Sequence, residues 1–206
     1  MIPRRPVTVT TRSYADRMAS ILLFHSMYGL RPAVTAAADR FRAAGHVVHV
    51  PDLYEGRIAD TPEEGEALRD EIGRDELLRR AVAAAAPHAG DGLVYAGLSL
   101  GAAVAQTLAL ADEKARGLLL LHGTSDLADD ARTEIPVQLH VADPDTYEPV
   151  DWQNAWYLRM RKAGADVEVF RYPGAGHLFT DPDLPDYDAE SAGRVWPIAL
   201  DFVDGL

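Results

Sequence analysis

The sequence predicts an α/β fold in which a mostly parallel central sheet is flanked by helices. Along the 206 residues, short apolar runs alternate with longer segments of helical periodicity, which is the pattern of βαβ units. Hydrophobic residues make up 48% of the chain and charged residues 25%, as in ordinary globular proteins. We expect residues 19–206 to form one domain without a lid, because the length suits a single core and no linker or repeat marks a boundary.

Apolar runs of strand length, several of them bounded by glycine or proline, are the predicted strands. In chain order they are Ile21–His25, Val47–Pro51, Leu93–Ala96, Leu118–His122, Val137–Val141 and Val167–Tyr172.

Helices are predicted between these strands. Apolar residues recur at i, i+3, i+4 and i+7 over Val34–Phe41 and again over Val195–Phe202. Thr61–Glu64 has the form of a capping box with proline at the first helical position, so a helix should begin there and run on toward Ala86, with a break near Gly73 as one option. A further helix is expected over Trp152–Lys162, with its aromatic residues in the core or at an interface.

Composition excludes several functional classes. The 20 basic and 32 acidic residues give a formal charge of -12, which disfavours nucleic acids and anionic membranes as partners. The absence of cysteine excludes disulfides and thiolate zinc sites, and it is compatible with a cytoplasmic location. No apolar stretch is long enough to span a membrane. Residues 1–18 lack the apolar run of a secretory signal and predict either a flexible N-terminal arm or an over-extended start.

The most informative motif is Gly97-Leu98-Ser99-Leu100-Gly101, which joins a predicted strand to an alanine-rich helical segment. Gly-x-Ser-x-Gly in this context is typical of a nucleophile elbow, a sharp turn that presents a serine hydroxyl above the sheet. The alternative is that the glycines only allow close packing of the helix on the strand. Ser99 is therefore the candidate nucleophile.

A serine nucleophile needs a general base and a carboxylate that orients it. His177 lies in a glycine-rich loop after the last predicted strand, and Asp143 and Asp145 follow the strand before it. The order Ser, Asp, His is that of α/β-hydrolases, and the loops at the carboxyl ends of parallel strands meet at one edge. Pro144 separates the two aspartates, so we expect only one of them to face the histidine.

The oxyanion of such a reaction is bound by two backbone N–H groups. Leu100 should supply one, as the residue after the nucleophile, and Met27 the other, from the loop after the first strand. The alternative is that Met27 and Tyr28 only cover the sheet edge. Residues flanking these loops are the candidate substrate pocket: Ser26, Tyr28, Leu98, Leu178 and Phe179.

Four histidines fall at or near strand ends, namely His25, His49, His122 and His140. A metal site would need the i, i+4 spacing or the cysteine partners of a zinc motif, and the sequence has neither. We therefore interpret these histidines as structural and expect no metal.

Four segments resemble the dienelactone hydrolase family of small, lidless α/β-hydrolases, and together they span about residues 21–206. They are Pro51–Gly56, Gly97–Gly101, Leu139–Pro149 and Tyr172–His177. The resemblance implies a sheet of seven or eight strands, a monomer or homodimer, and no cofactor. It also favours Asp145 over Asp143, because the family's acid stands four residues before a proline, here Pro149.

Two positions depart from the family pattern. The resemblance implies a cysteine nucleophile and a glutamate in the oxyanion loop, whereas Ser99 and Ser26 stand here. We therefore expect a serine hydrolase that cleaves a small carboxylic ester or lactone through an acyl-serine intermediate. The alternatives are a catalytically silent ligand-binding protein of the same fold, and an acyltransferase or thioesterase with the same triad.

Overall fold

Six parallel strands form the central sheet of the computed structural model, which describes residues 18–90 and 92–206. The order across the sheet is β2-β1-β3-β4-β5-β6, and every neighbouring pair is parallel. Their bounds are Ser20–Phe24 (β1), Val47–His49 (β2), Leu93–Leu98 (β3), Gly117–Leu121 (β4), Pro136–Asp143 (β5) and Asp166–Pro173 (β6).

Each strand overlaps one of the predicted apolar runs, so the predicted α/β class with a mostly parallel sheet is confirmed. The resemblance implied seven or eight strands, and the residues that the structure describes contain six. The N-terminal arm predicted for residues 1–18 lies outside the described residues, apart from Met18.

Helices cover both faces of the sheet. Their bounds are Pro32–Ala43 (α1), Pro62–Ile72 (α2), Arg74–Ala85 (α3), Leu100–Ala111 (α4), Val150–Ala163 (α5) and Ala189–Gly205 (α6). None of the helices in the described part of the chain combines the length and apolar character needed to cross a membrane.

Local signals set the start of α2 and the break after it. The Thr61 side chain accepts a hydrogen bond from the Glu64 N–H at 3.2 Å, and the Glu64 carboxylate accepts one from the Asp60 N–H at 2.9 Å. Gly73 lies between α2 and α3 and has φ of +80°, which is not a helical conformation, so the helix is interrupted there. Glycine adopts this positive φ at little energetic cost because it has no Cβ. The predicted capping box and the predicted break are both confirmed.

The strands are buried on both faces, and β1 shows how. Ile21 and Leu23 point into a core formed with α1 and α6. Leu22 and Phe24 point into a second core, formed with α3, α4 and α5. Near-continuous apolar runs follow from this arrangement, because successive side chains alternate between two covered faces.

The parallel arrangement brings five strand ends to one edge of the sheet. The residues that follow β1, β3, β4, β5 and β6 there include Met27, Ser99, His122, Asp145 and His177. Ligands bind at this edge in open parallel sheets. The topology of the sheet alone therefore brings the candidate residues to the edge where a ligand would bind.

Candidate active site

The turn from β3 into α4 is strained at Ser99, which has φ of 51° and ψ of -111°. A Cβ at Gly97 would lie 2.1 Å from the carbonyl oxygen of Gly101, and a Cβ at Gly101 would lie 2.4 Å from that of Phe24. Both positions therefore exclude side chains. The Gly-x-Ser-x-Gly spacing therefore has a steric cause. The backbone at the start of α4 packs directly against the ends of β1 and β3, and this leaves no room for a side chain at either glycine.

Gly123, after β4, is a further constraint that sequence reasoning missed. A Cβ there would lie 2.8 Å from the Cα and the carbonyl oxygen of Ser99. The preceding residue, His122, has φ of +63°, so the chain turns sharply where it passes Ser99. The only sequence signal was a glycine just beyond an apolar run, which many loops share.

Ser99, His177 and Asp145 form a continuous set of side-chain contacts. Ser99 Oγ lies 2.8 Å from His177 Nε2, and His177 Nδ1 lies 2.8 and 3.0 Å from the two carboxylate oxygens of Asp145. With Nδ1–H donating to the carboxylate, Nε2 is free to accept the serine hydroxyl proton. Asp143 is instead the last residue of β5, where its carbonyl accepts the Gly174 N–H at 2.9 Å.

The Asp145 carboxylate is buried and ionised. Burial opposes ionisation, but hydrogen bonding to His177 and to the N–H groups of Tyr147 (2.8 Å) and Glu148 (3.1 Å) outweighs it, so the pKa of Asp145 lies below its usual value. A carboxylate held by backbone donors keeps its orientation toward the imidazole.

A second buried carboxylate, Glu148, ties the Asp145 loop to the loop after β4. It accepts the Thr124 N–H at 3.1 Å and the Thr124 hydroxyl at 2.6 Å, and the Trp152 indole N–H donates to that hydroxyl at 2.7 Å. Burial raises the pKa of Glu148. Sequence reasoning missed Glu148 and Thr124, since 24 residues separate them and neither belongs to a motif.

The two predicted oxyanion donors leave the same sheet edge on neighbouring strands. Phe24 of β1 pairs with Gly97 of β3, and Met27 and Leu100 each follow three residues later. Within residues 18–90 and 92–206, neither the Met27 N–H nor the Leu100 N–H donates to a protein acceptor. Leu100 also opens α4, so its N–H lies at the positive end of the helix dipole.

The Met27 loop is shaped by Ser26, which is buried. Its hydroxyl accepts the Tyr28 N–H at 3.3 Å, and its carbonyl accepts the Gly29 N–H at 3.1 Å and the His25 Nδ1–H at 2.7 Å. Through these hydrogen bonds Ser26 stabilises the backbone conformation of the turn that carries Met27.

The candidate pocket residues fall into two groups. Tyr28 and Leu178 pack with Met27 beside the sheet edge that carries Ser99 and His177, and Leu100 contacts the same cluster. We call Met27, Tyr28, Ala59, Leu178 and Leu184 the edge cluster. Leu98 and Phe179 pack elsewhere, in the core formed with α1 and α6.

The Tyr147 ring packs against the His177 imidazole, a feature that the sequence did not predict. The Tyr147 ring centroid lies 4.6 Å from that of His177, and Tyr147 is 50% exposed. Burial raises the pKa of Tyr28, and the nearby Tyr147 and Asp186 raise it further.

Three of the strand-end histidines are buried and hydrogen-bonded inside the protein. His25 Nε2 accepts the Leu53 N–H at 3.0 Å, His122 Nε2 contacts the Thr180 hydroxyl at 2.6 Å, and His140 Nδ1 contacts the Tyr172 hydroxyl at 2.7 Å. Among the described residues, no three histidine, aspartate or glutamate side chains converge as metal ligands do.

Comparison with known proteins decides the family. The model of the dienelactone hydrolase family matches residues 7–205. The chain belongs to this family. The family resemblance read from the sequence is thereby confirmed, as is a hydrolase-type α/β fold.

One sequence relative extends over most of the chain. It is a provisionally named carboxymethylenebutenolidase of Aquifex aeolicus (strain VF5), 25% identical over 199 residues, which cover 89% of this chain and 86% of the relative.

Solved structures agree with the fold. The dienelactone hydrolase-like promiscuous phosphotriesterase P91 from metagenomic libraries has a TM-score of 0.80 at 21% identity, over 91% of this chain and 86% of its own. A provisionally named dienelactone hydrolase of Klebsiella pneumoniae subsp. pneumoniae MGH 78578 has a TM-score of 0.75 at 20% identity, over 92% of this chain and 88% of its own.

Proposed function

We propose that this member of the family is a serine hydrolase that cleaves a small carboxylic ester or lactone through an acyl-serine intermediate. The observation that carries the proposal is the pair of contacts from His177, 2.8 Å to Ser99 Oγ and 2.8 Å to the Asp145 carboxylate. A hydroxyl, a base and a buried anion in this order are the parts that nucleophilic attack by serine requires.

Acylation begins with transfer of the Ser99 hydroxyl proton to His177 Nε2 as Oγ attacks the substrate carbonyl carbon. The carbonyl oxygen becomes negative and accepts hydrogen bonds from the Met27 and Leu100 N–H groups. Asp145 stabilises the imidazolium that forms. When the tetrahedral species collapses, His177 returns the proton to the leaving alkoxide, and the acyl group stays on Ser99.

Deacylation repeats these steps with water. His177 Nε2 takes a proton from water as the water oxygen attacks the acyl carbon, and the Ser99 oxygen then leaves with that proton. In a lactone the leaving alkoxide stays attached to the acyl group, so hydrolysis yields a hydroxy acid. The name of the Aquifex relative, a carboxymethylenebutenolidase, supports a lactone or ester as substrate.

Turnover of p-nitrophenyl acetate by the Ser99→Ala variant tests the proposal. We expect kcat to fall by about 10³-fold or more, because no other group supplies the nucleophile. A fluorophosphonate probe should label the wild-type protein at Ser99 and leave Ser99→Ala unlabelled. Undiminished turnover in Ser99→Ala, or labelling at another residue, would contradict the proposed mechanism.

A further inference from the structure

A cavity of about 550 Å³ lies between α3, α4 and the loop after β4. Cavities of this size accommodate small organic ligands. The α4 residues that line it are spaced i, i+3, i+4 and i+7, so they share one face of the helix. The uncharged residues of the two helices that line it are Leu77, Leu78, Leu100, Ala103, Val104 and Thr107, and Gly73 and Arg74 line it where α3 begins.

Charged groups at this cavity are largely neutralised by ion pairs. Arg69 donates to the Asp70 carboxylate at 2.9 Å, and Asp126 is paired with Arg159. Arg74 is exposed to solvent. The surface left for a ligand between α3 and α4 is therefore mainly aliphatic, which suits a hydrocarbon group better than an ion.

Leu100 connects the cavity to the catalytic edge. Leu100 lines the cavity, packs against the edge cluster, and directly follows Ser99 in the chain. From Leu100 to Thr107 the lined face of α4 extends about 10 Å, at 1.5 Å of rise per residue. Leu100 therefore places one end of the cavity next to Ser99 in the chain and against the edge cluster in space.

We propose that this cavity is the acyl-chain subsite of the enzyme and that it takes unbranched acyl chains of medium length, such as octanoyl. The inference rests on the proposed function, because the chain enters as the acyl group of an ester cleaved at Ser99. Its elongated shape along one helix face favours a linear chain, and its aliphatic lining favours one without a charge.

The first test compares p-nitrophenyl octanoate with p-nitrophenyl acetate, so that only the acyl group changes. Ala103→Phe places a ring in the middle of the cavity and should lower the octanoate-to-acetate ratio of kcat/KM at least tenfold. Ala83→Phe is the matched control, because Ala83 is an exposed residue of α3 that does not line the cavity. The control should leave the ratio unchanged.

The second test measures binding without turnover, by calorimetric titration of octanoate into Ser99→Ala and into Ser99→Ala/Ala103→Phe. Binding should occur in the first and be lost in the second. Thr107→Trp, which fills the far end of the cavity, provides a second obstruction if Ala103→Phe does not fold. It should reduce hydrolysis of the octanoate ester more than that of the butanoate ester.

The outcomes separate the two proposals. Hydrolysis of both esters with a ratio that no cavity variant alters would overturn the acyl-chain subsite and leave the serine hydrolase intact. A wild-type protein that hydrolyses neither ester would overturn the hydrolase, whereas octanoate binding that is lost in the double variant would still support the cavity as an aliphatic site.

Discussion

Asp145 contacts the Nδ1 atom of His177 with both of its carboxylate oxygens, at 2.8 and 3.0 Å. Replacement by asparagine keeps the size of this side chain and removes the charge that stabilises the imidazolium. We expect kcat for p-nitrophenyl acetate to fall by roughly 10³–10⁴-fold in Asp145→Asn. Asp143→Asn is the matched control, and a loss there as large as in Asp145→Asn would contradict the role assigned to Asp145.

Gly123 packs directly against Ser99, the candidate nucleophile. A methyl group at this position would lie 2.8 Å from the Ser99 Cα and must displace the elbow. Because misplacement by about 1 Å can cost 100-fold, we expect Gly123→Ala to lower kcat by roughly 10–100-fold. Steady-state kinetics checks this, with circular dichroism to confirm folding.

Gly193 is the control for that substitution. It lies inside α6, and an added Cβ meets no atom within 4 Å. Alanine is a better helix former than glycine, so Gly193→Ala should leave kcat unchanged and raise the free energy of unfolding by about 0.5–1 kcal/mol. Equal losses of activity in both variants would contradict a specific role for Gly123.

A buried ion pair connects the start of α1 to the loop after His177. Arg31 Nε lies 3.3 Å from the Asp181 carboxylate, and these side chains are 9% and 7% exposed. Arg31→Met leaves the buried Asp181 carboxylate without its cationic partner, so we expect the free energy of unfolding to fall by about 3–5 kcal/mol.

Urea denaturation of the single and double variants checks this pair. Arg31→Met/Asp181→Leu removes both charges and should recover most of the lost stability, since neither partner is then left unpaired. Strictly additive losses in the double variant would show that the two residues do not interact.

Acid stability should depend on His140. Burial lowers its pKa from 6.5 to about 3, so the folded state holds the neutral imidazole while the unfolded chain binds a proton below pH 6.5. Above pH 6.5 the His140 imidazole is neutral in both states and does not change the stability with pH. Below pH 6.5 the free energy of unfolding falls progressively, down to about pH 3. The full effect is up to about 5 kcal/mol, at about 1.4 kcal/mol per pKa unit.

Denaturation curves between pH 7 and pH 4 measure this dependence. His140→Asn cannot take up the proton, so its free energy of unfolding should vary less steeply with pH than that of the wild-type protein, whatever its absolute stability. Equal slopes in the two proteins would contradict the role of His140.

The sequence pointed to those members of the candidate site that lie within one continuous motif. Ser99 is defined by the glycines beside it, and His177 by a glycine-rich loop after a strand. The choice of Asp145 over Asp143 needed the family resemblance, because both stand in the same loop and local pattern does not show which one faces the histidine.

Contacts between separate loops could not be predicted. Glu148 meets Thr124 across 24 residues, and Gly123 meets Ser99 only because two strand ends lie side by side. Such pairings depend on the relative positions of β3, β4 and β5 at the sheet edge. Hydrophobic periodicity predicts that these strands exist, but it does not predict the paths of the loops that follow them.

The close packing of Gly97 and Gly101 bears on how the elbow would tolerate a change of side chain at residue 99. Backbone atoms of the neighbouring strand and helix meet there directly, so the position of the elbow does not depend on which nucleophilic side chain it carries. Residue 99 can therefore exchange a thiol for a hydroxyl without reshaping its frame. Evolution could thus alter the nucleophile in a single substitution and adapt the surrounding loops afterwards.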